Sequence, residues 1–302
     1  MDTSLNAEQV VKRIQEHFGT AWKNTGIDGF KAGNPKTPIT GIATTWTPTV
    51  EVLRQAVAKG QNLIVSAQPP YWSGFRRPAG GGPGGGAPPR GAGMMPVVDV
   101  ETTELYRYKS HYIDEHNLVV WRFSENWDAL PQQFRLRALA TTLGWQAHED
   151  STATGMVAQL NAAVYALPKT SLAAMANHIK AKMSIRAMRV LGEPNAVVSR
   201  VVLRPGYLLV PDMMQMVRTT KADAVVCGEA CEWEAFEYGE DWISAGWGKG
   251  MVMLGYAVSE DPGAREMASW IKALISEVPV SHIPSGEPFV PAKANSPKGD
   301  ES

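Results

Sequence analysis

The stretch from Asn62 to Trp72, NLIVSAQPPYW, limits the choice of fold most sharply, because a short apolar run ends abruptly in Ser66-Ala67-Gln68 and two prolines. The run is too brief for a helix and follows Gly60, the pattern of a buried parallel strand that delivers a loop. Upstream, Thr40 to Thr45 reads as another strand. Thr47-Pro48 reads as a cap followed by proline in the first turn of a helix that runs to about Lys59. Strand, helix and strand together make a β-α-β unit, whose crossover is expected to be right-handed. Ligands of open α/β sheets sit beyond the carboxyl ends of such strands. Here Ser66, Ala67 and Gln68 supply a hydroxyl, a methyl and an amide, none of them a strong metal ligand or general base.

The alternation continues on both sides. Asn6 caps a first helix with Gln9 three residues on, and Val10, Val11, Ile14 and Phe18 form its apolar stripe. IDGFKAGNPKTP reads as turn. A helix spans about Thr103 to His116, a strand Leu118 to Phe123, and a further helix ends at Leu143-Gly144. Later come a strand near Ala163 to Leu167, a helix from Leu172 to about Val190, a strand Ala196 to Leu203 and a helix after Pro211. Strands Ala224 to Cys227 and Met251 to Gly255 follow, with a last strand in VPVSHIP. The fold expected is α/β: two lobes, about 1–145 and 160–290, of mainly parallel sheets flanked by helices around one pocket. Residues 76–93, RRPAGGGPGGGAPPRGAG, have too little side chain to repay ordering and read as a flexible insert. The insert contains no lysine and no Gly-Lys-Ser/Thr ending, so it is not a phosphate-cradling loop. Residues 291–302 read as a disordered tail.

Charge narrows the function classes. Lys plus Arg (29) nearly balance Asp plus Glu (30), which argues against a nucleic-acid partner. No apolar run approaches the ~18 residues of a membrane span, and the N-terminus lacks a basic-then-apolar signal region, so a cytoplasmic location is expected unless a leader was removed. Cys227 and Cys231, with no further Cys or His nearby, read as reduced core thiols. His111 and His116 fall in a last helical turn, which favours cations, and His282 reads as structural.

Four strand ends present polar residues: Ser66 and Gln68; Ser124 to Asp128; Glu229 and Glu232; Tyr256 and Glu260. If they meet, they make one acidic pocket, with Trp72, Trp127 and Trp233 as candidate apolar walls for a small-molecule ligand. The carboxylates of Glu229, Glu232 and Glu260 suit equally the N-terminal ends of helices, and Ser259 is a candidate cap. Carboxylates alone favour hard cations, which want six or more oxygens. No Ser-His-Asp or Cys-His pairing is visible.

Several blocks together, GIATTWTPTVEVLRQAVAKGQNLIV, YIDEHNLVVWRF, AVVSRVVLRPG, ADAVVCGEACEWE, GMVMLGYAVSEDPG and VPVSHIPSGEPF, resemble the Nif-three-like dinuclear metal-centre family, homologues of the type-two GTP cyclohydrolases. The resemblance covers roughly Ala7 to Pro291 apart from the glycine insert. It implies a ring-like homohexamer with metal pockets facing inward, and zinc, manganese or iron as cofactor. It also implies ligands at the ends of three strands, and the matching positions carry Ala67; Ser124 and Asp128; and Tyr256 and Glu260. Asp128 and Glu260 keep ligand types while every imidazole is gone. Two carboxylates without nitrogen ligands do not hold two transition-metal ions close together, and without metal no bound water is activated. Two readings follow. One is a metal-free binding or assembly protein, with Tyr256 filling vacated space and bonding a carboxylate. The other is a metal-dependent hydrolase of a small or nucleotide-like substrate, with Asp128 and Glu260 as residual ligands and Glu229 or Glu232 assisting.

Overall fold

In the computed structural model, which describes residues 5–71, 100–131 and 133–291, the chain enters through α1 (Ala7–Glu16) as its capping pattern requires. The Asn6 carboxamide accepts from Gln9 N at 2.8 Å and the Gln9 side chain accepts from Asn6 N at 2.9 Å, a reciprocal cap that aims Val10 and Ile14 at the core. Trp72, the glycine-rich stretch 76–93 and the tail beyond 291 lie outside the described residues.

The first sheet begins with a strand the turn-rich reading overlooked. β1 (Gly29–Ala32) is short and half-buried at the sheet edge, so it shows no apolar alternation. β2 (Ile42–Thr45), α2 (Val50–Ala58) and β3 (Leu63–Ser66) form the expected unit, with Ile42 opposite Leu63 and Thr45 opposite Ser66 in parallel. The cap of α2 is Thr49 rather than Thr47: its hydroxyl accepts from Val52 N at 3.2 Å. Thr47 is held instead by the end of the chain, its N–H donating to Ser285 Oγ at 2.8 Å. α3 (Glu104–Glu115) and β4 (Val119–Arg122) continue the lobe, and the polar cluster after β4 coils into the single turn α4 (Glu125–Asp128) before α5 (Phe134–Leu143).

The second sheet is built from α6 (Ser151–Gly155), β5 (Ala163–Ser171), α7 (Leu172–Met183), β6 (Arg189–Leu191), β7 (Val197–Leu208), α8 (Val210–Thr220), β8 (Ala224–Ala230), α9 (Glu237–Ser244) and β9 (Gly250–Met253). Its order is β5-β7-β8-β9-β6, parallel through β7, β8 and β9 with antiparallel edges. The helix expected to reach Val190 stops at Met183, where Ser184 turns left-handed (φ 54°). The Glu287 carboxylate then takes the N–H groups of Arg186 and Ala187, and the chain extends into β6.

From β9 the chain crosses back. α10 (Tyr256–Leu274) starts beside the second sheet and buries Met267 and Ile271 against the first, and β10 (Val280–His282) pairs in parallel with β2. The first sheet is therefore β1-β4-β3-β2-β10. The boundary expected near 290 misses this return: the second lobe's own sheet ends at β9. Ser259 and Glu260 lie inside α10, buried, rather than capping it; the cap position is Gly255, at φ 100°. Wholly buried runs such as Leu63, Ile64 and Val65, each side chain worth about 1.5–3 kcal/mol of burial, fix the register of both sheets. Among the described residues no helix is long and apolar enough to cross a membrane.

Candidate functional site

The carboxyl ends of β2, β3 and β4 face the start of α10 across the seam between the lobes. β2 hands over to Trp46, which packs with Ala67 beyond β3, Ala264 of α10 and the ring of Tyr256. The Tyr256 ring meets Trp46 edge-on with centroids 5.9 Å apart. α4 supplies Asp128, and α10, one turn after Tyr256, supplies Glu260. These two carboxylates do converge.

What joins them is a side chain outside every residue singled out above. Arg135, on the first turn of α5, reaches into the seam with its guanidinium 4.7 Å from the centroid of Trp46. Its Nη1 donates to Asp128 Oδ2 at 2.6 Å, its Nε donates to Glu260 Oε2 at 2.6 Å, and its Nη2 donates to Glu260 Oε1. Both oxygens of Glu260 are thus engaged in a bidentate fork, the strong geometry for Arg and carboxylate. Glu260 is fully buried, Arg135 is 16 % exposed and Asp128 39 %. Burial pushes the Glu260 carboxyl upward while Arg135 pulls it down, and the bidentate contact is that of the ionised pair. Gly206, at φ +74° in β7, lies so close to Glu260 Oε1 that a Cβ there would collide with it.

The flanking groups are tied up locally. The Ser66 hydroxyl donates to Gln68 O at 2.8 Å and closes its own turn. Gln68 Nε2 donates to the Tyr256 hydroxyl at 3.3 Å, so the bonded partner of Tyr256 is an amide rather than the carboxylate expected. Burial raises the Tyr256 phenol above its ordinary value, with Glu260 adding to it, which keeps the hydroxyl protonated. Arg122 Nε donates to Ala67 O at 2.8 Å and to Ser124 Oγ at 3.1 Å. Asp28 collects the N–H groups of Ser124, Glu125 and Asn126 at 2.7, 3.1 and 2.9 Å, fixing the turn that presents Asp128.

Other expected members lie elsewhere. Glu232 pairs with Arg189 of the edge strand β6, and both are exposed. Glu229 is exposed at the end of β8 beside Tyr207, with no ion pair or hydrogen bond to Asp128 or Glu260 among the described residues. The single acidic pocket expected of four strand ends is therefore two acids and one arginine. Trp127 is a core residue, stacked on Phe134 and edge-on to Trp270, rather than a pocket wall. Trp233 is 70 % exposed, and Trp72 lies outside the described residues. His282 donates to Thr44 O through Nδ1 at 3.1 Å, a structural contact within the sheet. Among the described residues no group of three or more His, Cys, Asp or Glu side chains is placed to hold a metal ion.

Residues 98–286 match the family model described as Duf34/NIF3 (NGG1p interacting factor 3). No curated protein matches. Among solved structures, the Staphylococcus aureus hypothetical protein SA1388 shares 16 % identity, over 96 % of this chain and 100 % of its own, with a TM-score of 0.66. A Bacillus cereus protein related to NIF3 shares 14 % over 96 % and 99 %, TM-score 0.66. Protein ybgI, of unknown function, shares 17 % over 94 % and 100 %, TM-score 0.67. At these identities the likeness is one of fold.

Proposed function

Because the chain belongs to the Duf34/NIF3 family, the question is what its altered seam does, and we propose that it is a metal-free member acting as a binding or assembly protein rather than a hydrolase. The observation that carries this reading is Arg135 bridging Asp128 and Glu260. A guanidinium is cationic at every physiological pH and gives the two acids three hydrogen bonds from one centre. The donors present do not fit a dinuclear centre. Two carboxylates already spent on an arginine, a methyl at Ala67, a serine hydroxyl held by Arg122 and a protonated phenol offer no imidazole or thiolate. A hydrolytic step through a metal-activated water therefore has no basis in these residues.

Assembly is supported by exposed apolar groups at one end of the second sheet: Tyr207 and Leu209 at the end of β7, and Trp233 after β8. We assign this surface to contact between copies of the chain, in keeping with the homohexamer that the family resemblance implies. The competing hydrolase reading requires Asp128 and Glu260 to bind metal. Titration of manganese followed by electron paramagnetic resonance distinguishes the two. Free-ion signal unchanged by the wild-type protein and by an Asp128→Ala/Glu260→Ala variant supports the metal-free reading. Saturable loss of signal in the wild type alone overturns it.

A further inference from the structure

On the outer face of the second sheet, away from the seam, α8 and α9 enclose a groove of about 790 Å³. α8 turns Met213 and Met216 inward, while Met214, Val217 and Arg218 line the groove together with Lys221 at the helix's C-cap. α9 supplies Tyr238 and Trp242 four residues apart as the facing wall. The turn after α9 adds Trp247. Gly246 adopts φ +76°, and the N–H groups of Trp247 and Gly248 both donate to Trp242 O, at 3.1 and 3.2 Å. Gly248 packs directly on the Trp242 ring, where any Cβ would collide with it. The turn is thereby fixed, and Trp247 stands 78 % exposed at the groove's rim.

Charge distinguishes this groove from a bare apolar patch. Its charged lining residues, Arg218 and Lys221, are both cations and both exposed, and neither forms an ion pair among the described residues. The acids of α9, Glu237, Glu240 and Asp241, do not line it. Cations at the end of α8 suit the helix dipole, but that role needs neither a cavity nor a tryptophan held out over it. The volume lies in the range of small-molecule sites, roughly 300–1,000 Å³, and aromatic walls with a few placed charges are how such sites select a ligand. Rings of Trp and Tyr take a flat aromatic body by stacking, and the two cations take its anionic group.

We propose that this groove binds a flat aromatic acid, with the ring system among Tyr238, Trp242 and Trp247 and the carboxylate at Arg218 and Lys221. The proposal is independent of the seam and of its metal content. Its test is NMR of full-length protein carrying carbon-13 methionine methyls, with the Met214 signal assigned through Met214→Leu and 2-naphthoate titrated against its neutral analogue 2-naphthamide. We expect a saturable shift at Met214 and affinity for the acid about tenfold above that for the amide. An Arg218→Gln/Lys221→Gln variant should lose that preference while still binding the amide, and Trp247→Ala should weaken both. All three positions are exposed, so urea midpoints should match the wild type. Equal binding of acid and amide, an unaltered preference in the double glutamine variant, or no saturable shift at Met214 overturns the proposal. So does a Met214 shift that follows protein concentration alone and vanishes in Trp247→Ala, which would make the groove a contact between copies.

Discussion

Replacing Arg135 by methionine, which keeps an unbranched apolar stem and removes the charge, should expose the energetics of the seam. Glu260 is fully buried and takes two charge-assisted hydrogen bonds from Arg135. Removing one partner of a buried ion pair typically costs about 3–5 kcal/mol, because the remaining charge is left without compensation. Asp128, 39 % exposed, keeps access to water and should account for no more than about 1 kcal/mol of the loss. The pH dependence fixes the cause. Burial already holds the Glu260 carboxyl above its ordinary value, and without the guanidinium, which pulls it down, burial and the Asp128 charge carry it higher still. A carboxyl so raised adds stability at low pH and loses it as pH rises through the folded value. The Arg135→Met variant should therefore fall furthest below the wild type near about pH 8 and approach it near about pH 4.5. Adding Glu260→Gln should restore most of the loss, since neutral replacements of a buried pair are often nearly neutral in stability. Urea denaturation across that range measures all three proteins. A deficit below about 1 kcal/mol, or one that does not change with pH, would show that Glu260 does not depend on Arg135.

Three further outcomes are expected. Gly206→Ala should destabilise by at least about 1–3 kcal/mol in the same assay, because the new methyl meets Glu260 Oε1 and the backbone is left-handed there. Asp28→Ala leaves the N–H groups of the α4 turn without their acceptor and should cost about 1–2 kcal/mol, with faster amide exchange at Glu125 and Asn126. Burial lifts the Asp261 carboxyl to about 6 and, with Arg265 nearby, holds the His282 imidazole down to about 4. The raised acid favours the folded state at low pH and the depressed base favours it at high pH, so between about pH 4 and about pH 6 the two oppose each other. Asp261→Asn removes the first contribution, a shift of about two pH units worth roughly 3 kcal/mol. The variant should lose stability on acidification more steeply than the wild type, as followed by melting temperature against pH.

The elements were legible wherever local chemistry and burial agree. The Asn6 and Gln9 pair, the Leu63 to Ser66 run and the stop at Gly144 each carry their own physical cause, and the parallel units follow from them. β1 and β6 escaped because short edge strands bury little and lack alternation. The return of β10 to the first sheet depends on where a nineteen-residue helix points, which no local pattern encodes. Asp128 and Glu260 are legible as acids at strand ends, but their partner is not. Arg122 ends β4, Arg135 and Arg137 open α5 and Arg204 lies within β7, and local spacing alone does not say which reaches inward. One indirect signal was present. Two acids brought together with one of them buried need a cation, and a buried one must come from the chain itself. Glu232 was misassigned for the opposite reason, since an acid near a strand end is as readily paired to an exposed arginine across an edge.

The claim that Arg135 supplies the seam's cation is tested most directly by elemental analysis of purified, tag-free protein, after incubation with zinc, manganese or iron and desalting, beside the Asp128→Ala/Glu260→Ala variant. The account expects substoichiometric metal in both proteins, with no difference between them. One or two metal ions per chain in the wild type, lost in the variant, would contradict it and favour the metal-dependent reading of these two acids.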